Sequence, residues 1–218
     1  MTVRPTPPWE SAGAEKAIVF VADDDASVRE ALKSLLRSEG FRVKLLQSAS
    51  ELRQSEIPDV ASCLIVDIGK PRSRGLDVQA DLATAGIDIP IIVITGHGDI
   101  PMSVRAMKAG AIDFLTKPFR DEDILNAVAT AIDRDRRRRN HARMRSELLA
   151  LFATLSPRER EVMTLVVTGR MNKQVAAEIG IAEITVKMHR RHIMKKMAAK
   201  SFADLVRMAE ALGIGSVS

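Results

Sequence analysis

The chain has 218 residues, 46% of them hydrophobic, and a formal net charge of +5. That is enough apolar material for two modest cores, which excludes general disorder, and no apolar run reaches the roughly 20 residues that a helical membrane span needs. A single cysteine, Cys63, excludes an internal disulfide, and no Cys/His spacing of the metal-binding type occurs.

Charge is unevenly divided along the chain. Residues 1–133 carry 15 Lys/Arg against 20 Asp/Glu, and residues 134–218 carry 18 against 8. A net of −5 followed by a net of +10 predicts halves with different partners, a polyanion being the simplest for the second.

Residues 1–16 form a Pro-rich lead without the apolar core of a signal peptide and are expected to be disordered; the cytoplasm is the expected location. Ile18-Val19-Phe20-Val21-Ala22 then predicts a strand that runs into Asp23-Asp24-Asp25. Val28, Ala31, Leu32, Leu35 and Leu36 repeat at i, i+3, i+4, i+7 and i+8, one stripe of an amphipathic helix that Gly40 closes. Further strands are predicted over 42–46, 63–67, 91–95 and 112–116, with helical segments between them. Short apolar runs without alternation suit strands covered on both faces, so the alternation predicts an α/β doubly wound parallel five-stranded sheet over 17–133. Cys63, inside the third run, reads as inert packing.

Right-handed crossovers place the C-terminal ends of parallel strands on one edge, where ligands bind. That edge receives Asp23 and Asp24, Asp67, Thr95, and Lys117 followed by Pro118. Three carboxylates together repel unless a divalent cation lies between them, and an oxygen-rich site suits Mg²⁺. With the cation seated, Asp67 is placed to attack a phosphoryl group whose oxygens meet the metal, the Lys117 ammonium and the Thr95 hydroxyl.

On these residues the stretch from Ala17 to Asp133 resembles a response-regulator receiver domain, with its flavodoxin-like sheet. The resemblance makes Asp23 and Asp24 the acidic pair, Asp67 the phosphoacceptor, Thr95 the switch hydroxyl, Lys117 the site lysine and Phe114 the aromatic switch position. Gly96-His97-Gly98-Asp99-Ile100-Pro101, continuing to Lys117-Pro118-Phe119, is most similar to the FixJ type. It also implies that the Gly69 carbonyl ligates the metal and that phosphorylation favours a homodimer through the helix from Met102 to Ala109 and the strand near Phe114. Lys70, Arg72 and Arg74 depart from the family pattern, and both readings stay open: altered metal affinity and kinase docking, or solvated loop charges. His97, between two glycines, reads as structural.

Apolar periodicity from Asp121 stops after Asp133, where Asp133-Arg134-Asp135-Arg136-Arg137-Arg138-Arg139 begins. Residues 134–147 are expected to be a charged, helical, solvated linker, since no Gly or Pro falls between Asp121 and Ser156. Ser156-Pro157-Arg158-Glu159 is a capping box with Pro at the first helical position. Asn172 is expected to cap a second helix that ends at Gly180, and a third follows almost at once, the signature of a helix-turn-helix whose later helix enters the major groove. In that third helix Val186, Ile193 and Met197 face a core while Lys187, Arg191 and Lys195 recur every four residues on another side, a cationic stripe suited to DNA. Residues 148–218, on Leu155 to Val162, Asn172-Lys173 and Thr185-Val186-Lys187-Met188-His189, resemble the LuxR/FixJ-type DNA-binding domain. That resemblance places Lys187, Met188 and Arg191 at base edges and Asn172, Lys173 and Thr185 nearer phosphates.

The sequence therefore reads as a two-component response regulator, not an enzyme, that binds double-stranded DNA under control of a sensor histidine kinase. Two alternatives stay open at this point: a constitutive DNA-binding dimer whose receiver is not switched, and an Asp-nucleophile phosphohydrolase. The second lacks the usual acid/base carboxylate two residues after Asp67, where Gly69 stands.

Overall fold

Five short stretches, the central three almost wholly apolar, form five parallel strands in the computed structural model, which describes residues 16–55, 57–68, 78–96 and 100–215, the side chains of 78–80 excepted. They are β1 (Ile18–Ala22), β2 (Arg42–Leu46), β3 (Ser62–Asp67), β4 (Ile91–Thr95) and β5 (Asp113–Thr116), in the order β2-β1-β3-β4-β5. Between and after them run α1 (Ala26–Ser38), a 3₁₀ segment (Ala49–Gln54), α2 (Val78–Thr84), α3 (Ile100–Lys108) and α4 (Asp121–Ala153).

Alternate residues of the central strands feed two separate cores. Val19, Val21, Cys63, Ile65, Ile92 and Ile94 pack against Leu32 and Leu36 of α1 and Ile124, Val128 and Ile132 of α4. Phe20, Leu64, Val66, Ile91 and Val93 pack on the opposite side against Leu52, Leu82 of α2 and Ala106 of α3. Both faces are thus apolar, which is why these strands read as unbroken hydrophobic runs. Burial pushes the Cys63 thiol well up, so it stays protonated and unreactive.

Contacts divide the chain into two units between Arg139 and Asn140 rather than after Asp133. The physical reason is Asp135, which is fully buried. Its Oδ2 accepts the Ser62 N–H at 2.9 Å and Arg139 Nε at 2.7 Å, and its Oδ1 accepts Arg138 Nη2 at 2.7 Å. Arg138 and Arg139 reach on to Asp88 and Asp59. The first arginine-rich turns of the expected linker are therefore helix α4 held against the N-terminal end of β3.

The second unit is all-helical: the last turns of α4, then α5 (Pro157–Val167), α6 (Asn172–Ile179), α7 (Glu183–Lys196) and α8 (Phe202–Ala211). Val162, Met163, Val166, Val175, Val186, Ile193, Met197 and Leu205 form its core. The capping box on α5 is present, with Ser156 Oγ accepting the Glu159 N–H and Glu159 Oε2 accepting the Ser156 N–H. Gly180 closes α6 at φ 67°, a left-handed conformation that glycine takes without a Cβ clash, and it lets α7 start three residues later.

Candidate functional site

The parallel register carries four side chains to one sheet edge. Ala22 pairs with Val66 and Asp67 with Ile94, so Asp23 and Asp67 emerge side by side. Thr95 pairs with Thr116, and Lys117 follows one residue later. Buried Asp23, exposed Asp24 and half-buried Asp67 each offer a carboxylate oxygen within 4.8 Å of the others. Lys117 Nζ donates to Asp23 Oδ2 at 2.8 Å and lies 3.4 Å from Asp67 Oδ2. Asp23 Oδ1 accepts the Asp25 N–H at 2.9 Å, which leaves both Asp23 oxygens engaged. Asp67 Oδ1, by contrast, is buried with no hydrogen-bond partner among the described residues.

Burial raises the Asp67 carboxyl above its ordinary value; the Lys117 charge opposes this and the Asp23 charge adds to it. For Lys117 burial works downward, but the hydrogen bond to Asp23 and the Asp67 charge outweigh it and hold the ammonium above its usual value. One ammonium among three carboxylates leaves the edge negative. An all-oxygen donor set with one orphaned buried oxygen fits a hard divalent cation. Thr95 is buried and its Oγ1 donates to the Ile68 carbonyl at 2.8 Å, on the backbone just after Asp67. Half-buried Phe114 packs against the core that contains Val93 and Ala106. Gly69, Lys70, Arg72, Arg74 and His97 lie outside the described residues.

In the second unit α7 has two distinct sides. Val186, Ile193 and Met197 are fully buried, whereas Ile184, Lys187, Met188, Arg191 and Lys195 are exposed. At 3.6 residues per turn the exposed five share about 100° of arc. Thr185 sits half-buried at its margin, and Lys187 pairs with Glu183 at 3.1 Å. Lys173 is exposed on the first turn of α6. Asn172 does not cap that helix, contrary to expectation. The helix starts one residue earlier, with Met171 as N-cap and its N–H donating to Gln174 Oε1 at 2.8 Å. Asn172 Oδ1 is thereby free to accept from Arg190 Nη1 at 3.0 Å, and the Arg190 guanidinium also lies over the Phe202 ring.

Two families match the chain: "Response regulator receiver domain" over residues 19–129, and "Bacterial regulatory proteins, luxR family" over 153–209. Nodulation protein W of Bradyrhizobium diazoefficiens is 60% identical over 95% of this chain and 94% of its own. The transcriptional regulatory protein FixJ of Rhizobium meliloti is 43% identical over 90% of this chain and 97% of its own. The solved response regulator StyR superposes with a TM-score of 0.78 at 46% identity, over 90% of this chain and 99% of that one. The chain is a response regulator of the FixJ/LuxR type. It is a DNA-binding transcription regulator of a two-component system, controlled by phosphorylation of its receiver. No described helix of this response regulator is long and apolar enough to cross a membrane.

Several residues that shape these sites escaped the sequence reading. Arg29 Nη1 donates to the carbonyls of Asp23 at 2.6 Å and Asp24 at 3.1 Å, which fixes the acidic turn; as one charge on a helix, it carried no signal. Buried Glu159 was visible only as a cap, yet its Oε2 also accepts Lys196 Nζ from α7 at 2.6 Å. Ile184 was detectable by phase alone, because at about 100° per residue it falls opposite Val186 and Ile193.

Proposed function

We propose that this response regulator accepts a phosphoryl group on Asp67 from a sensor histidine kinase in the cytoplasm, then dimerises and binds double-stranded DNA through α7. The observation that carries the reading is Asp67 itself, a half-buried carboxylate with one oxygen facing Lys117 and the other buried without a partner among the described residues, at the edge shared with Asp23 and Asp24. Asp23, Asp24 and Asp67, joined by the Gly69 carbonyl if the family pattern holds there, would hold Mg²⁺. The cation would supply charge neutralisation for phosphoryl oxygens.

An Asp67 carboxylate oxygen is the nucleophile, and its bond to phosphorus forms as the donor's bond to phosphorus breaks. Lys117, kept charged by Asp23 and Asp67, meets a phosphoryl oxygen. The Thr95 hydroxyl exchanges the Ile68 carbonyl for another, a movement that Phe114 on neighbouring β5 would register. Exposed Ile100, Val104 and Met107 on α3 then offer an apolar face for the second copy. In the second unit Lys187, Met188, Arg191 and Lys195 address base edges and the groove, while Asn172, Lys173 and Thr185 lie toward phosphates. Asn172, already bonded to Arg190, does so as part of a braced corner rather than as a lone contact.

Asp67→Asn keeps the shape and removes the nucleophilic oxygen, so labelling by a small phosphodonor in Mg²⁺ should vanish while the fold is retained. Labelling that persists at another residue would overturn the assignment of Asp67.

A further inference from the structure

The apolar part of the α7 surface is what the cationic stripe leaves unexplained. Ile184 is 72% exposed and Met188 50%, while of the other large apolar residues of the helix Val186 and Ile193 are fully buried and Met194 is half-buried against the core. Residues four apart on a helix are neighbours, so the two side chains make one continuous aliphatic strip. Lys187 and Arg191 border this strip on the same face, and exposed Lys195 continues it. A protein partner covering the strip would have to desolvate those cations. A DNA groove offers them phosphates and guanine acceptors instead.

We infer that this strip reads the 5-methyl groups of thymines, and that Ile184 is a specificity-determining residue of this chain. The inference rests on the DNA-binding role of α7 proposed above. The thymine methyl is the one apolar group the major groove displays among its donors and acceptors, and it is matched by aliphatic side chains. Ile184 is in the first turn of α7, and in helix-turn-helix domains the N-terminal residues of the recognition helix are those that reach base edges. Glu183, next to it, is paired with Lys187 at 3.1 Å, so its charge is partly offset beside the strip. The strip therefore adds a preference for thymine at defined positions to the hydrogen bonds of Arg191 and Lys187.

The test uses the full-length chain. A preferred duplex is selected from a random library, then each thymine in turn is replaced by deoxyuridine, which removes the methyl and nothing else. The wild type should lose about fourfold in affinity at one or two positions, the worth of burying one methyl carbon. Ile184→Ala should bind the thymine duplex about fourfold more weakly and be indifferent to deoxyuridine at one of those positions. Because Ile184 is exposed, the variant should keep its helical circular dichroism; Ile184→Val, with one methylene fewer, should retain part of the sensitivity. A wild type indifferent to deoxyuridine everywhere, or an Ile184→Ala chain with undiminished sensitivity, would overturn the inference. So would a variant altered only in self-association without DNA, which would make the strip a protein contact. A chain that enriches no sequence at all would instead overturn the DNA-reading role beneath it.

Discussion

Three helices of the second unit begin on an extended N-cap residue, two of them with a side-chain oxygen and one without. Ser156 caps α5 by accepting the Glu159 N–H, and Ser201 caps α8 by accepting the Asp204 N–H at 3.1 Å. At α7 the N-cap is Ala182, with the extended backbone of a capping residue, φ −69° and ψ 145°, but no side-chain oxygen to accept a bond. Its own carbonyl takes the Thr185 N–H at 2.9 Å, so the donor left for a serine hydroxyl is the Ile184 N–H. Ala182→Ser should therefore stabilise the unit. The turn is exposed and water already solvates that donor, which places the gain near the middle of the range for such caps, about 1 kcal/mol. For a unit of this size that is a rise of about 4–8 °C in melting temperature. Calorimetry of the full chain reads the shift, and slower hydrogen exchange of the Ile184 amide locates it. An unchanged melting temperature with unchanged exchange at that amide would show that the α7 terminus is not limited by its cap and refute the reasoning.

Asp135→Ala removes the acceptor of a buried backbone N–H and the partner of two arginines, and should destabilise the receiver by about 3–5 kcal/mol in denaturant titration; a loss under 1 kcal/mol would mean that Arg138 and Arg139 hold α4 through Asp88 and Asp59 alone. For Glu159 burial works to raise the carboxyl, but Lys196 and the Ser156 donors outweigh it, so its folded value lies below the ordinary one and its stabilisation, present at neutral pH, is lost as pH falls through that lowered value. Glu159→Gln should cost about 2 kcal/mol at pH 7 and lose its deficit against wild type in acid, and a deficit independent of pH would contradict the assignment. Met107→Asp places a charge on the exposed apolar face of α3 and should abolish the dimer formed on phosphorylation, a coupling of about 1–3 kcal/mol, without preventing phosphorylation; sedimentation decides it.

At the sheet edge β2 alternates exposed Arg42 and Lys44 with Val43 and Leu45, but the central strands β1, β3 and β4 were legible because each is covered on both faces and so has no polar alternation to confuse with a loop. Ser62 is the exception, a polar residue that extends β3 by one position beyond the apolar run. Its N–H is satisfied by Asp135, 73 residues further on, and no local pattern carries that information. The edge residues Asp23, Asp67, Thr95 and Lys117 were legible for a topological reason, since parallel order alone brings strand ends together. Arg29 was not, because its role is made by two backbone carbonyls, which have no sequence signature. The Asn172 cap failed because a glutamine three residues beyond Met171 reaches back and moves the helix start, a competition between two acceptable caps that residue type does not decide.

Charge is the clearest case of a quantity that is easy to sum and hard to locate. The net +10 of residues 134–218 pointed to DNA, yet residues 134–139 supply five arginines against one aspartate. Arg137 pairs with Asp133 at 2.9 Å, and Arg138 and Arg139 turn back onto Asp135, Asp88 and Asp59. Their charge is largely met inside the receiver, where it fixes α4 against the end of β3 opposite Asp67. Residues 140–218 keep 13 Lys/Arg against 7 Asp/Glu, a smaller excess of +6. The electrostatic case for DNA therefore rests less on the total than on placement: Lys187, Arg191 and Lys195 crowd one side of α7, with the exposed Ile184 and Met188 among them and the core on the other side. Phosphates attract any cation at close range, but only an ordered face of this kind holds cations and aliphatic groups in one register against base edges.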